Sequence, residues 1–304
     1  MILCCGEALI DMLPRQTSNG EKAFAPHAGG AVFNTAIALG RQDVPVQFFS
    51  GLSSDLFGDM LRAGLAASQV DSSLAATSDR PTTLAFVTLT DGQASYAFYD
   101  ENTAGRMLSV DDLPEVTAQA VFFGGISLAV EPCAMTYQTL LDRVAGDKVT
   151  MIDPNIRPSF IKDEATYRAR ITAMMAQSDI IKMSDEDLDW FVPDGTIADK
   201  AHSLLDRGAK LVCVTEGAKG VTGYTADHAL FVPAQKATVV DTVGAGDTFN
   251  AGLLAGLHAA DALSKEKIAQ LDADTIRAAL ARGAKSAAIT VSRAGANPPW
   301  TADL

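Results

Sequence analysis

The stretch Asp241-Thr242-Val243-Gly244-Ala245-Gly246-Asp247 constrains this chain more than any other. The β-branched run Ala237-Thr238-Val239-Val240 precedes it and reads as a strand. Phe249, Leu253, Leu254 and Leu257 follow it at helical spacing. The motif therefore reads as strand, glycine turn, helix. Two glycines free the backbone to bend so that successive N–H groups point the same way. Those groups open a helix, where the dipole favours negative charge. Asp247 stands at the lip of this anion cradle, where a carboxylate can accept a proton from an attacking hydroxyl. A cradle of that kind beside a base is the minimum machinery for moving a phosphoryl group onto a small molecule. The plainer reading is a turn followed by a capped helix. No GxxxxGK[ST] string occurs, so a P-loop is not the phosphate site.

The 304 residues suit one large α/β domain or two smaller ones, and 48% hydrophobic content is enough for a full core. With 37 acidic against 24 basic residues the net charge is -13. Such a surface repels phosphate backbones, so no nucleic-acid partner is expected, and a nucleotide ligand needs a local positive cradle. Cys4, Cys5, Cys133 and Cys213 form no CxxC pair and no metal-ligand spacing. They read as reduced, mainly buried thiols of a cytoplasmic protein, with Cys4 and Cys5 on opposite faces of one strand. The beginning of the chain carries no basic segment before an apolar one, and no apolar run approaches 18 residues, so neither a signal peptide nor a membrane span is expected.

Along the chain, residues 2–10 read as a buried strand ending at Asp11, and 12–26 as short, polar and turn-rich. Gly29-Gly30 opens an alanine-rich helix running to Arg41. A strand at 46–50 and a helix at 56–67 follow. The runs 82–90 and 95–100 alternate and flank Asp91-Gly92, a hairpin signal. From about residue 118 strands and helices alternate again: strands at 121–125, 149–153, 180–183 and 211–215, helices at 134–145, 166–177 and 198–207. From Lys265 to Ile289 the chain reads as helical. The alternation predicts an α/β fold, a doubly wound and mostly parallel sheet covered on both faces by helices. The hairpin does not fit it. Residues 12–26 and 80–105 are therefore read as a small β lid, and 1–11, 27–79 and 106–304 as the α/β nucleotide- and sugar-binding domain. A lid is sensible over a phosphoryl-transfer site, where water must be excluded.

Ligands of open α/β sheets bind beyond the carboxyl ends of the strands. Asp11, Asp153, Lys182, Thr215 and Asp241 all lie at or just past expected strand ends. Asp11 is either a hydroxyl-binding carboxylate or a solvated turn residue. Gly29 and Gly30 with Asn34 are either a ligand turn or an ordinary helix start. Asp153-Pro154-Asn155-Ile156-Arg157 presents the Arg157 fork after a strand. The four histidines do not cluster at metal spacing, although His27 lies just before Gly29.

The string 241–247 resembles the signature of the ribokinase-like (PfkB) carbohydrate kinases. So does Gly29-Gly30-x-x-x-Asn34 running on to Gly51-Leu52-Ser53-x-Asp55-x-Phe57-Gly58. Residues 2–296 follow the family's order of motifs. The resemblance implies an ATP-dependent sugar kinase. Asp247 is then the catalytic base, with Gly244, Ala245 and Gly246 as the anion hole and Arg157 on the phosphate. Asp11, Gly29, Gly30, Asn34, Phe98 and Asn155 are then the sugar side. Lys182, Ser184 and the turn Thr215-Glu216-Gly217-Ala218-Lys219-Gly220 are the nucleotide side, with an adenine pocket walled by the helix around 283–286. The family's Asn-x-x-Glu is Ser184 to Asp187 here, so Asp187 holds magnesium through water with a shorter reach. Asp241 and the carbonyl of Val243 match two ligand positions of a monovalent cation, K+.

Fructose is the expected acceptor, because Gly125-Ile126-Ser127-Leu128 and Val291 to Ala296 resemble fructokinase members. Two departures touch the sugar side: Asp100 where arginine is usual, and a bulky Phe33. The enzyme alternative is a 2-keto-3-deoxygluconate kinase, with Arg106 as the lid cation. A catalytically silent sugar or nucleotide sensor is the alternative from another class. Aromatics such as Phe86 and Phe98 beside exposed strand edges suggest a homodimer through the lid.

Overall fold

The chain enters through β1 (Ile2–Cys5), every residue of which is buried. At Gly6 it passes so close to the Val32 side chain that a Cβ would collide with it. After this bend it leaves the first sheet for a second. The single strand expected over 2–10 is therefore two, and Asp11 lies within the second of them. This computed structural model describes residues 1–90 and 93–304, apart from the side chains of 88–90 and 93–96.

In order, β1 is followed by β2 (Leu9–Gln16), β3 (Lys22–Gly29), α1 (Ala31–Arg41), β4 (Val46–Phe49), β5 (Gly51–Ser53), α2 (Leu56–Ala67), β6 (Val70–Asp71) and β7 (Ala76–Ser78). Next come β8 (Leu84–Thr90), β9 (Gln93–Tyr99), β10 (Ala120–Gly124), α3 (Cys133–Val144), β11 (Val149–Asp153), α4 (Glu164–Met175), β12 (Ile180–Ser184) and α5 (Asp185–Phe191). The chain closes with α6 (Ile197–Leu205), β13 (Leu211–Thr215), β14 (Gly220–Tyr224), β15 (Ala229–Pro233), α7 (Ala245–Ala259), α8 (Lys265–Ile268) and α9 (Ala273–Val291).

Among the described residues the main sheet runs β15-β14-β13-β12-β11-β10-β1-β4-β6. It is parallel from β13 to β6, while β14 and β15 add an antiparallel edge. This is the doubly wound sheet that the alternation predicts. Its central parallel strands are mostly apolar and buried because both faces are covered. Successive residues of β1 feed two cores. Ile2 and Cys4 pack with α1, α2, α7 and α9, and Leu3 and Cys5 with α3 to α6. All four cysteines are free and buried, Cys4 and Cys5 on opposite faces. A fully buried Leu or Phe contributes about 1.5–3 kcal/mol. An exposed ion pair contributes at most about 1 kcal/mol, so these cores hold the fold.

The second sheet runs β3-β2-β8-β9. Residues 12–26, expected to be turn-rich, are instead mostly β2 and β3, paired antiparallel from Leu9↔Gly29 to Gln16↔Lys22. Pro14 lies beyond the three residues of β2 that pair with β8, and Pro26 lies in the edge strand, so neither missing N–H interrupts a central ladder. The expected hairpin turn Asp91-Gly92 lies outside the described residues. Residues 237–240 are not a strand: Val239 and Val240 are 62% and 61% exposed, and the Val240 and Asp241 N–H groups both donate to the Val291 carbonyl at the end of α9. Their β-branched side chains mimic a strand where no neighbouring strand exists. Among the described residues no helix is long and apolar enough to cross a membrane.

Candidate active site

From β1 the strand order runs outward through β4 and β6 on one side, and through β10, β11, β12 and β13 on the other. β1 and β10 are neighbours, so the order reverses between them. That is where an open α/β sheet leaves a crevice beyond its strand ends. A cavity of about 320 Å³ opens there. The loops after β1, β10 and β11, Lys182 in the middle of β12 and the starts of α1 and α7 line it, and Leu9, Asp11 and Phe98 reach in from the second sheet.

Asp247 is in the first turn of α7 and is buried. Asn34 Nδ2 donates to its Oδ2 at 2.9 Å, and Thr35 Oγ1 donates to its carbonyl at 3.2 Å. These bonds lock α1 against the start of α7. Burial pushes the Asp247 carboxyl up to about 7, with the Asn34 hydrogen bond pulling it back and the charge of Asp153 adding to the rise. Gly244 precedes α7 in the left-handed region, φ 79°, and no side chain caps the helix. The first N–H groups of a helix have no partner within it. Gly244, Ala245 and Gly246 line the cavity; the Ala245 N–H donates to the Thr242 carbonyl at 3.3 Å, and the helix N-terminus that opens there fits an anionic ligand.

Lys182 supplies positive charge beneath that turn: a Cβ on Gly246 would stand 3.2 Å from its Nζ. The ammonium is buried and donates to Asp153 Oδ2 at 2.9 Å, which also accepts from Asn250 Nδ2 at 2.7 Å. Burial alone would lower the Lys182 pKa, but the Asp153 charge and hydrogen bond outweigh it and raise it. The lysine therefore stays charged and fixed. Asn155, at φ 45°, donates its N–H to Asp153 Oδ1 at 3.2 Å. The left-handed turn is tolerable for asparagine and aims both Asn155 and Arg157 at the cavity.

On the opposite wall Asp11 packs against Gly29 so closely that a Cβ there would collide with its carboxylate. Burial pushes Asp11 up to about 6. Gly30, at φ 109°, stands where a Cβ would lie 2.9 Å from the Glu7 carbonyl.

Glu7 is the cavity residue that sequence reasoning missed. Its Oε1 accepts the Ala31 N–H at 2.9 Å and its Oε2 the Ser127 N–H at 3.4 Å. One buried carboxylate thus ties the ends of β1 and β10 to the start of α1, and burial raises its pKa. It lies two residues past a buried strand, so the strand-end argument that selected Asp153 was open to it. Reading 2–10 as one strand concealed that end.

The pfkB family carbohydrate kinase model matches residues 1–303. This chain belongs to the pfkB family of carbohydrate kinases. A fructokinase from Rhizobium leguminosarum bv. trifolii is 56% identical over 91% of this chain and 86% of its own length. A probable fructokinase-2 from Arabidopsis thaliana is 32% identical over all of this chain and 93% of its own. Fructokinase from Xylella fastidiosa, solved with bound ATP, superposes with a TM-score of 0.90 at 29% identity, covering 100% of this chain and 94% of that one.

Several residues expected in the site of a pfkB kinase lie outside the cavity lining. Ser184 caps α5 by accepting the Asp187 N–H at 3.0 Å. Asp187 is buried and accepts the Ile156 N–H at 3.2 Å, which supports the Arg157 loop from behind. Thr215, Glu216, Gly217 and Gly220 form the turn from β13 to β14, where Glu216 pairs with Lys219 at 3.1 Å. Asp241 accepts N–H groups from Val243 at 3.0 Å and Gly295 at 2.9 Å, while Val243 itself lines the cavity. Gly283 lies against Phe249 of α7, so that face of α9 is packed within the core. Phe33 is buried against Phe48 rather than facing the cavity, which removes one of the two departures on the sugar side. His27 is exposed and outside the lining.

Proposed function

We propose that this kinase transfers the terminal phosphoryl group of ATP to a primary hydroxyl of fructose. The observation that carries the reading is the buried Asp247 carboxylate beside an uncapped helix N-terminus and the fixed Lys182 ammonium, all in one cavity. The 56% identity to a protein named fructokinase supports fructose as acceptor.

Asp247 accepts the proton of the attacking hydroxyl. The N–H groups at Gly244 to Gly246, with Lys182 and Arg157, receive the negative charge on the transferring group. Asp11, Gly29, Gly30, Asn34, Phe98 and Asn155 orient the sugar. Ser184, Thr215, Glu216, Gly217 and Gly220 are assigned to the nucleotide side. No group of three or more metal-binding side chains occurs among the described residues. That fits magnesium brought by the nucleotide, which keeps its waters and needs only one or two carboxylates, here Asp187. Asp241 and the Val243 carbonyl fit a monovalent cation that steadies the glycine turn. Bound magnesium supplies neutralising charge on the phosphates. We assign the second sheet as the lid and its outer aromatics as a homodimer contact; Phe98, expected to share in that contact, faces the cavity against Phe160 instead. Tyr99 is 64% exposed and Phe24 43%, both edge-on to Phe86.

Arg106 does not favour the sugar-acid alternative. It is held by Asp100 at 3.1 Å and by the Glu131 carbonyl at 3.1 Å, and lies outside the cavity lining. The test is ADP release with fructose, glucose, ribose, 2-keto-3-deoxygluconate and adenosine, each with and without K+. Turnover on fructose above the others is expected. Turnover confined to another sugar, or nucleotide binding with no ADP released, would overturn the assignment.

A further inference from the structure

Phe98 belongs to two cavities. It lines the cavity that contains Asp247 and also a second cavity of about 580 Å³. It occupies a defined row on the face of the second sheet: Asp11 pairs with Ala85, and Ala85 with Phe98. Asp11 and Phe98 are thus two strand spacings apart, about 10 Å, with only a small side chain between them. A ligand resting on Asp11 meets the Phe98 ring at its far end. Behind that ring stands Phe160, edge-on, with centroids 4.9 Å apart and planes at 65°.

The second cavity has an aromatic wall, Phe98 and Phe160, and a polar rim of Ser159, Glu101 and Lys162, the last two paired at 3.6 Å. Thr82, Thr103 and Asp100 also line it, but their side chains are held by Asp55, by the Asp100 carbonyl and by Arg106. Its volume lies within the range of ligand pockets, roughly 300–1,000 Å³. Hydroxyl and charged groups around an aromatic wall are what recognise a sugar ring.

We propose that Phe98, backed by Phe160, is the length-determining residue of the acceptor site, closing the monosaccharide cavity off from a neighbouring cavity lined for a second sugar unit. The inference rests on the reading of the Asp247 cavity as the acceptor site. The ring acts by exclusion: a longer acceptor has nowhere to place its second unit while the wall stands. Removing the ring joins the two cavities without touching Asp247, Asn34 or the glycine turn.

The test compares fructose with a fructosyl disaccharide linked through the anomeric carbon, which keeps a free primary hydroxyl, in wild type and Phe98→Ala. ADP release gives kcat/KM for each. The ratio of disaccharide to fructose is expected to rise at least tenfold in Phe98→Ala, and to fall back when Ser159→Trp refills the second cavity in that background. A ratio within twofold of wild type, in a soluble variant that still turns over fructose, would overturn the inference. A purely structural role for Phe98 depresses both substrates together and leaves the ratio where it was. Should Phe98→Ala fail to fold, Phe98→Leu carries the same ratio test with a smaller expected rise, about threefold. Wild-type turnover of fructose, run alongside, tests the acceptor reading on its own.

Discussion

As the proposed base, Asp247 must be a carboxylate to accept a proton, and its burial sets the pH at which it becomes one. With its pKa pushed up to about 7, kcat/KM is expected to fall tenfold per unit as pH drops below about 7 and to level off above it. Asn34 donates to the charged form and so lowers that pKa. Asn34→Ala should therefore move the acid limb to higher pH, read from a pH–rate profile. An unmoved limb would mean that the Asn34 bond does not tune the base. The buried pair Lys182–Asp153 makes a different prediction. Removing one partner leaves a buried charge unmatched, which costs about 3–5 kcal/mol. Asp153→Ala should lower stability by that amount in urea titration. Much of this chemistry was legible in the sequence, because Asp11, Asp153 and Lys182 are polar residues embedded in or ending apolar runs. Glu7 follows a strand end that a single strand over 2–10 hides, and the N–H groups it holds lie 24 and 120 residues away.

Helices α7 and α9 approach more closely than side chains allow, and glycines make this possible. A Cβ on Gly252 would stand 2.7 Å from Gly283 Cα, and one on Gly256 2.7 Å from Ala279 Cα. Alanine in an open helix gains up to about 1 kcal/mol over glycine. Overpacking a close backbone contact costs typically 1–3 kcal/mol. The contact is with rigid backbone, so the second effect wins. Gly252→Ala and Gly256→Ala should each lower the unfolding free energy by about 1–2 kcal/mol, and because α7 carries Asp247 at its start they should lower kcat as well. A stabilised Gly252→Ala would refute the close-packing account. At this scale the parallel strands were legible because burial on both faces writes continuous apolar runs such as Val121-Phe122-Phe123. The hairpin of β2 and β3 was not: exposure mixes polar residues and two prolines into these strands of a small sheet, with β3 at its edge. The false strand at 237–240 is the converse, β-branched residues lying on the surface with no ladder to join.

For the whole molecule, the reversal of strand order between β1 and β10 gathers residues from both halves of the chain into one cavity, which Leu9, Asp11 and Phe98 of the second sheet also line. Alternation of strands and helices foretold the sheet, but not which strands would be neighbours. The exposed aromatics Phe24 and Tyr99 on the outer face of the second sheet predict a dimer, twice the 31.9 kDa chain mass by light scattering. Tyr99→Lys should shift it toward the monomer. A monomer at all concentrations would contradict the assigned contact. Whether Asp247 takes the acceptor's proton is read from kcat of Asp247→Asn with ATP and fructose, beside calorimetric binding of both ligands. General-base catalysis contributes typically 10²–10⁴-fold. A drop in kcat of that order with binding retained is the predicted result, and a kcat within threefold of wild type would contradict it.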